Sequence, residues 1–527
     1  MKHATLCLTL SSLLFHPINA QDGETVQTTS GAITGHPAKS KPDVSEYLGI
    51  PYAAPPIDDL RFAAPINFTG TSPITADAFS PDCPQQGLTA PPLKYEEQSP
   101  NFKNIVEAFA GGRGNEQSED CLTLNIWTKR PNSSSKTGVL IWFHGGRFTL
   151  GDTNTPFYNG QYLSSAQDII VVTVNYRINI FGFSGAPDQP FNVGLLDQRK
   201  AIEWVHTNIA GFGGDPSLIT IMGQSAGGAA VDFYSYAYES EPLVAGLISH
   251  SGTSLSFAGN DPDFARSSFK TAAANVSCTK DSDAEMVACM RSIPFKDLLK
   301  AIPSVKPLPS SALAQPVFHP TIDNITIFPL STYRSRGVNG SFAPLPYLAG
   351  NTDHESGFYR LAALSQKIDF SPSQWLGYES QGFTCPTRQS LLYRTARGIP
   401  AYRYRYFGTW PNLELYPGSG AYHGSDLHMV FGGDEDITGE EGTREQGWTR
   451  EYMMRSWGAF VREPGKGLER EMGWPRYTED GYGGVSTLVR LGWEGNAGAS
   501  YVGSELWDEG CASGEEEGDV KLAQGAF

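Results

Sequence analysis

Several features that mark other classes of protein are missing from this sequence of 527 residues. Basic residues are in deficit, since 39 Lys and Arg face 56 Asp and Glu and give a formal net charge of −17. Nucleic-acid-binding domains need a basic face, so we expect no nucleic-acid partner. Beyond the first 20 residues, no run reaches the roughly 18 apolar residues that cross a bilayer, which predicts no stable membrane insertion.

Two further absences exclude other architectures. No cysteine pair has the C-x-x-C spacing typical of a structural zinc site. No internal repeat occurs at the periods of solenoids or propellers. What is present is a chain with 40% hydrophobic and 12% aromatic residues, enough to bury a large core. Its acidic balance is typical of a solvated surface that keeps an exported protein soluble.

The N-terminal stretch MKHATLCLTLSSLLFHPINA has the pattern of a secretory signal peptide. A short basic start precedes an apolar stretch, and Ala20 is a small residue at a plausible cleavage point. The alternative is a buried N-terminal helix. We therefore expect residues 1–20 to be a signal peptide and residues 21–527 to be exported as a single domain.

Cysteines and glycosylation sequons point to the same compartment. An even number of cysteines remains after the N-terminal stretch, which in an exported chain indicates disulfides. These six cysteines are Cys83, Cys121, Cys278, Cys289, Cys385 and Cys511. The N-x-S/T sequons, of which we expect about three to carry glycans, lie at Asn67, Asn132, Asn275, Asn324 and Asn339.

The middle of the chain alternates between two kinds of hydrophobic pattern. Continuous apolar runs at 139–146, 169–177 and 218–223 are typical of strands buried on both faces of a sheet. Residues 195–212 have helical periodicity, and 225–238 can begin a helix directly after the third run. Strands that alternate with helices predict an α/β fold with a mostly parallel sheet.

The stretch IMGQSAGGAA contains a G-x-S-x-G pentapeptide formed by Gly223, Ser225 and Gly227. The pentapeptide alone is weak, because Gly-rich loops produce the same spacing. Here a predicted strand runs into the motif and a predicted helix runs out of it, which is the context of a nucleophile elbow. The N-terminus of that helix also presents its dipole to developing negative charge. We therefore interpret Ser225 as a nucleophile.

A serine nucleophile needs a base and an orienting carboxylate, which in this architecture follow in the order Ser, Asp or Glu, His. His423 is the best candidate base, because the segment GAYHGSDLHMVFG at 420–432 places it in a Gly/Ser-rich loop. His428 is better interpreted as a packing or surface residue of the following helix. The segment HGGRFTLG at 144–151 follows a buried strand, as an oxyanion-hole loop should.

Longer strings carry a family resemblance over roughly residues 25–480. They include SEDCLTLNIW, NYRINIFGF, NVGLLDQRKAIEWV and FGGDPSLITIMGQSAGG. The sequence resembles the type-B carboxylesterases of the cholinesterase–lipase family, and among them secreted fungal members. The resemblance implies an α/β-hydrolase fold, a large mostly parallel sheet flanked by helices, in one catalytic domain over 21–527. It also implies hydrolysis of a small-molecule ester through an acyl-serine, without metal or cofactor.

The resemblance assigns roles to matched positions. Ser225 would be the nucleophile, His423 the general base and Glu355, in GNTDHESGFYR, the orienting acid. Asp353 is the nearby competitor for the acid, and spacing alone does not separate the two. The residues implied for the oxyanion hole are Gly145, Gly146, Arg147 and Ala226.

Cross-links are also implied by the resemblance. The implied disulfides are Cys83–Cys121, Cys278–Cys289 and Cys385–Cys511, of which the last occurs in only some members. The implied ion pairs of the scaffold are Arg61 with Glu119 and Arg177 with Asp197.

Three departures from the family pattern bear on substrate choice. Gln224 stands where cholinesterases carry a glutamate, and Gly111 and Gly112 lie where a tryptophan would stack on choline. Arg147 replaces the third glycine of the oxyanion loop. We therefore expect neutral esters to be preferred over choline esters.

The leading hypothesis is thus a secreted serine esterase. One alternative is a secreted lipase on longer acyl chains, although the segment 87–102, a candidate flap, is Pro-rich and only moderately apolar. An esterase of a secondary-metabolite pathway is compatible with the same residues. A non-catalytic cholinesterase-like binding protein is disfavoured, because Ser225, Glu355 and His423 are all in place.

Overall fold

The fold was determined from a computed structural model, which describes residues 24–86, 98–109, 114–129, 131–134, 136–304, 316–365, 368, 370–478, 487–508 and 510–511. The strands of this part of the chain are β1 (Thr25–Thr28), β2 (Gly31–Thr34), β3 (His36–Pro37), β4 (Ser45–Pro51), β5 (Ile74–Thr75), β6 (Thr123–Thr128), β7 (Thr137–Phe143), β8 (Ile170–Val174), β9 (Gly214–Gln224), β10 (Gly246–His250), β11 (Tyr347–Thr352), β12 (Ala401–Tyr406), β13 (Leu488–Leu491) and β14 (Ala499–Val502).

Among the described residues, eleven strands form a central sheet in the order β14-β13-β12-β11-β10-β9-β7-β8-β6-β4-β3. The seven strands from β13 to β8 run parallel, while β14 on one side and β6, β4 and β3 on the other are antiparallel. A small sheet of β1, β2 and β5 lies apart. The predicted α/β class with a mostly parallel sheet is confirmed.

Helices connect and cover these strands. The α-helices are α1 (Phe102–Phe109), α2 (Gln161–Gln167), α3 (Asn179–Gly182), α4 (Val193–Asn208), α5 (Ala226–Ala237), α6 (Pro262–Asn275), α7 (Asp283–Ser292), α8 (Phe295–Ala301), α9 (Leu330–Asn339), α10 (Ser356–Ser365), α11 (Pro372–Glu379), α12 (Cys385–Thr395), α13 (Leu427–Phe431), α14 (Asp434–Thr438) and α15 (Arg444–Arg462). In the described ranges, no helix combines the length and the apolar character that crossing a bilayer requires.

Strand β7 shows why continuous apolar runs belong to the centre of the sheet. Successive side chains of a strand point to opposite faces. Ile141 and Phe143 join the core on the side of α4 and α5, whereas Leu140 and Trp142 join the core on the side of α15. Both faces are covered, so both sets of alternating residues must be apolar.

The predicted cross-links of the scaffold are confirmed. Disulfides join Cys83–Cys121, Cys278–Cys289 and Cys385–Cys511. Arg61 pairs with Glu119, and Arg177 pairs with Asp197 with 2.7 Å between the nearest N and O atoms. The predicted signal peptide, residues 1–20, lies outside the described residues, as does most of the candidate flap at 87–102.

Candidate active site

Ser225 lies on a tight turn between β9 and α5. Its backbone has φ 58° and ψ −122°, and its N–H donates to the carbonyl of His250, 2.8 Å away. The flanking glycines are required by space. A Cβ on Gly223 would lie 2.3 Å from the backbone of Gly227, and a Cβ on Gly227 would lie 2.1 Å from the carbonyl oxygen of Phe143. The predicted strand–serine–helix geometry is present.

The loop after β7 lies directly against this serine. A Cβ on Gly145 would be 2.7 Å from the carbonyl oxygen of Gln224 and 3.1 Å from the Cβ of Ser225. Gly146 has φ +96°, and a Cβ there would meet the carbonyl oxygen of Leu150 at 2.2 Å. Only glycine has room at these two positions, so the backbone of this loop approaches Ser225 closely.

Ala226 is the other residue assigned to the oxyanion hole. It is the first residue of α5, and the first N–H groups of a helix have no partner within the helix. Its N–H group therefore stands at the positive end of the helix dipole, next to Ser225. The structure brings Gly145, Gly146, Arg147 and Ala226 to the same end of the sheet as the serine.

His144 packs behind the loop that follows β7. Its ring stacks on Tyr176 with centroids 4.4 Å apart, and its Nδ1 lies 2.9 Å from the carbonyl oxygen of Gly145. Tyr176 in turn donates its hydroxyl to the carbonyl oxygen of His144. Burial lowers the pKa of His144 to about 4, so this ring is neutral near pH 7.

His423 and Glu355 meet across two turns that follow β11 and precede α13. The Nδ1 of His423 is 2.5 Å from Oε2 of Glu355. The other carboxylate oxygen of Glu355 accepts the Ser251 hydroxyl at 2.6 Å and the Thr352 N–H at 2.8 Å. Both side chains are buried, with His423 2% and Glu355 0% exposed. The carboxylate is thus fixed by donors on one oxygen and presents the other to the imidazole.

Asp353, the competing carboxylate, has a different partner. Its Oδ1 is 2.9 Å from Nε of Arg405 on β12, and its side chain is 39% exposed. The structure therefore brings Glu355 rather than Asp353 to His423.

The Nε2 atom of His423 faces two donors. Because Nδ1 carries its proton toward Glu355, Nε2 is the acceptor nitrogen. The amide nitrogen of Gln224 lies 2.9 Å from Nε2, and the Tyr359 hydroxyl lies 3.2 Å from it. Tyr359 also makes a hydrogen bond with Ser225. Its phenol therefore stands between the serine and the imidazole, whose direct hydrogen bond is not formed in the described chain.

Two charges act on the Tyr359 phenol. Burial is the main cause that raises the pKa of Tyr359, and the Glu355 carboxylate adds to it. The positive charge of Arg147 lowers this pKa, which places its guanidinium within electrostatic reach of the site. Burial lowers the pKa of Arg147 itself, whereas Tyr378 and Tyr359 oppose that shift.

Aromatic rings form the wall around His423. Tyr359 and Phe383 lie with ring centroids 4.9 and 5.1 Å from the imidazole. Phe109, the last residue of α1, lies 6.4 Å from it and contacts Phe358 at 4.8 Å. The surroundings of the imidazole are therefore apolar and aromatic, which strengthens electrostatic interactions at the reacting atoms.

The remaining predicted residues are a packing histidine, two glycines and the sequon asparagines. His428 is buried on α13, where its ring packs 4.3 Å from Phe157, as expected for a packing residue. Gly111 and Gly112 lie outside the described residues. The side chains of all five sequon asparagines, Asn67, Asn132, Asn275, Asn324 and Asn339, are exposed.

Two contributors to the site were missed from the sequence. Ser251 directly follows β10, and Tyr359 lies in the first turn of α10. Neither residue belongs to a sequence motif that predicts a role in the site. The string ESGFYR holds Tyr359 four residues after Glu355, which is the only signal that pointed to it. Among the described residues, no group of three or more His, Cys, Asp or Glu side chains is arranged to hold a metal ion.

Several known proteins are similar in sequence to this chain. The sequence profile of the carboxylesterase family matches residues 22–375. A chlorogenic acid esterase of Aspergillus niger is 35% identical over 457 residues, which cover 85% of this chain and 84% of that protein. A secreted lipase 5 of Gibberella zeae is 31% identical over 508 residues, 92% of this chain and 93% of that one. A mouse cholinesterase is 35% identical over 337 residues, 61% of this chain and 52% of that one.

Proposed function

Because this chain belongs to the carboxylesterase family, has its α/β-hydrolase fold and is a carboxylic ester hydrolase, we propose that it acts through an acyl-serine intermediate on Ser225. His423 is the general base in this proposal and Glu355 the orienting acid. The observation that carries the proposal is the 2.5 Å contact between His423 and Glu355, made beside a serine on a strand-to-helix turn.

The first half of the reaction follows from these positions. Ser225 Oγ attacks the carbonyl carbon of the ester while Nε2 of His423 takes the hydroxyl proton. For this step the serine replaces the Gln224 and Tyr359 donors at Nε2. The imidazolium that forms is stabilised by the Glu355 carboxylate. The oxyanion of the tetrahedral intermediate accepts backbone N–H groups, for which we propose Gly145, Gly146, Arg147 and Ala226.

The second half repeats the chemistry with water. Nε2 of His423 returns its proton to the alcohol oxygen, the carbon–oxygen bond breaks and the alcohol leaves. Water then attacks the acyl-serine carbonyl, His423 again takes the proton, and Ser225 is released with the carboxylic acid. Only a serine, an imidazole, a carboxylate and backbone donors are used, so the proposed reaction requires neither a metal nor a cofactor.

Ester hydrolysis on neutral or anionic small molecules fits the site better than hydrolysis of choline esters. Gln224 is uncharged, and Arg147 brings positive charge near the imidazole. The Aspergillus niger relative, named for chlorogenic acid, makes aromatic acyl esters reasonable members of the first substrate panel. The aromatic wall around His423 supports the same choice.

A lipase is the second candidate. It is supported by the Gibberella zeae relative, which matches across nearly the whole length of both chains. A series of 4-nitrophenyl esters from acetate to palmitate distinguishes the two functions. An esterase has its highest kcat/KM at short or medium acyl chains, whereas a lipase prefers long chains and gains activity when the ester forms an interface.

We further propose that the protein is secreted and glycosylated. Three disulfides, exposed sequon asparagines and a signal-like N-terminal stretch support this proposal. N-terminal sequencing of protein recovered from culture medium should start near Gln21. A start at Met1 would contradict cleavage.

Replacing the nucleophile tests the proposed chemistry directly. Ser225→Ala should reduce ester hydrolysis to background, because alanine fits the turn but cannot attack, while the melting temperature stays near that of the wild type. A serine-directed organophosphate followed by peptide mapping should label Ser225. Ser217→Ala is the matched control, since Ser217 is exposed at the other end of β9 and contacts Asp215. More than trace activity in Ser225→Ala, or loss of activity in the control, would contradict the assignment.

A further inference from the structure

A second histidine, which the proposed reaction does not use, is buried at the end of β10. His250 is wholly buried and its ring nitrogens contact three side chains. Nδ1 lies 2.7 Å from Oδ2 of Asp426, and Nε2 lies 2.9 Å from Nε1 of Trp457 on α15. The hydroxyl of Tyr404 on β12 is 2.7 Å from the same Nδ1 and 2.8 Å from the same carboxylate oxygen.

The partners fix the tautomer of His250. An indole N–H can only donate, so Nε2 of His250 must be the unprotonated acceptor. The single ring proton then lies on Nδ1 and is donated to Asp426. Tyr404 also donates its hydroxyl to Asp426, since the shared carboxylate oxygen can accept both bonds. An N–H on Nε2 would be directed against the Trp457 N–H, so the contacts place the ring proton on Nδ1.

The segment formed by His250 and Ser251 contacts Ser225, Glu355 and the turn that carries His423. The carbonyl oxygen of His250 accepts the N–H of Ser225 at 2.8 Å. Ser251 donates its hydroxyl to Glu355 at 2.6 Å. The side chain of His250 holds Asp426, which lies three residues after His423 in the turn that precedes α13. Strand β10 therefore links the loops that carry the nucleophile, the acid and the base.

We propose that His250 is a positioning residue of the esterase site. Held between Trp457 and Asp426, its ring sets the distance between the turn that carries His423 and the turn that carries Ser225. Because buried packing alone would hold these turns less exactly than directed hydrogen bonds, loss of the His250–Asp426 bond displaces the base from the nucleophile. The inference rests on the proposed function, since it concerns the same serine and histidine.

Two substitutions separate the two bonds of the ring. In His250→Asn the amide nitrogen lies near the position of Nδ1 and can still donate to Asp426. In His250→Gln the amide lies near the position of Nε2 and can satisfy Trp457, but the bond to Asp426 is lost. We expect His250→Gln to lower kcat about 10-fold or more, because small displacements of a catalytic group have large effects on rate. We expect His250→Asn to retain most of kcat, with KM nearly unchanged in both.

His428→Gln is the control for loss of a buried histidine. His428 packs against Phe157 on the helix that follows the same turn. The experiment compares kcat, KM and the melting temperature of the three variants on one neutral 4-nitrophenyl ester. The inference predicts a lower kcat in His250→Gln than in His428→Gln at a similar loss of melting temperature, with rescue in His250→Asn. Equal kcat losses at equal loss of stability, or no rescue by asparagine, would overturn it.

Two further measurements keep the outcomes distinct. If the Gln variant does not fold, Asp426→Ala removes the acceptor of Nδ1 while the His250 side chain remains, so kcat should fall; an unchanged kcat overturns the inference. Ser225-dependent hydrolysis by the wild type tests the proposed function separately. If the wild type has that activity and His250→Gln equals it, the proposed function stands and the role of His250 is wrong.

Discussion

Glu355 and Asp353 are two residues apart, yet their carboxylates have different partners. Glu355 contacts His423, while Asp353 pairs with Arg405. Glu355→Gln should therefore lower kcat/KM by about 10⁴-fold, the loss known for the acid of a related triad, because the imidazolium loses its stabilising charge. Asp353→Asn should lower it by much less. Steady-state kinetics of both purified variants on the same ester provide the measurement, and the reverse ranking would transfer the role to Asp353.

At the scale of residues, sequence reasoning reached the groups that belong to motifs. Ser225 and His423 stand in recognisable local contexts, so their positions could be predicted. The choice between Glu355 and Asp353 could not, because it depends on Arg405, a residue of a neighbouring strand. Tyr359 was missed for a similar reason: its hydroxyl reaches His423 only through the packing of α10 against the turn before α13.

At the scale of elements, the loop that follows β7 bears on the choice of substrate. Arg147 follows Gly145 and Gly146, and its charge lowers the pKa of Tyr359 beside His423. A quaternary ammonium near the site would meet this positive charge and gain no carboxylate from Gln224. An uncharged butyrate ester should therefore have a kcat/KM at least about 10-fold above that of butyrylcholine at matched leaving-group pKa.

Arg147→Met tests the cause of this selectivity. The variant keeps a long side chain but removes the charge. The ratio of kcat/KM for the uncharged butyrate ester to kcat/KM for butyrylcholine should therefore fall. A wild-type preference for butyrylcholine would contradict the prediction, and an unchanged ratio in Arg147→Met would assign the selectivity to other residues of the site.

Elements were predicted best where both faces of a strand are buried. The run at 139–146 became β7, which begins two residues earlier and ends at Phe143, and the run at 169–177 became the shorter β8. The helix expected over 195–212 ends at Asn208 and continues as a 3₁₀ turn over Ile209–Phe212, because Gly213 takes a left-handed conformation there. The short edge strands β3 and β14 have no continuous apolar run, so the sequence did not predict them. Each is defined by its pairing with one neighbouring strand.

At the scale of the whole molecule, buried neutral histidines make stability depend on pH. Burial lowers the pKa of His428 to about 3, whereas an unfolded histidine titrates near 6.5. Between these values the unfolded chain binds a proton that the folded chain does not, so stability falls as the pH falls. Urea unfolding from about pH 5.5 to 4 should show a slope about 1.4 kcal/mol per pH unit steeper in the wild type than in His428→Gln.

The comparison between variants is needed because another group acts in the opposite direction. Burial raises the pKa of Asp82 to about 6, so the folded protein takes up a proton there and gains stability as the pH falls. This contribution is common to both proteins and cancels in the difference. Equal slopes for the wild type and His428→Gln would contradict the assignment of a neutral His428.

The disulfides differ in the length of chain that they close. Cys385–Cys511 spans 126 residues and Cys278–Cys289 spans 11. Loop entropy predicts that replacing the first pair by serines lowers the free energy of unfolding by about 5 kcal/mol, and the second by about 3 kcal/mol. Denaturant unfolding of the two double variants checks the order. Peptide mapping without reduction checks the pairing, and a free thiol at Cys385 or Cys511 would contradict it.

The residues of the candidate site are far apart in the sequence, and this separation bears on when activity appears during folding. Gln224 and His423 touch in the folded protein, yet they are 199 positions apart in the sequence. Ser225 follows β9 whereas His423 follows β12, so β10, β11 and β12 must pair in register before the two residues can lie together. We therefore expect a partly folded chain to hold Ser225 without His423 beside it, and ester hydrolysis to appear only when these central strands are in place.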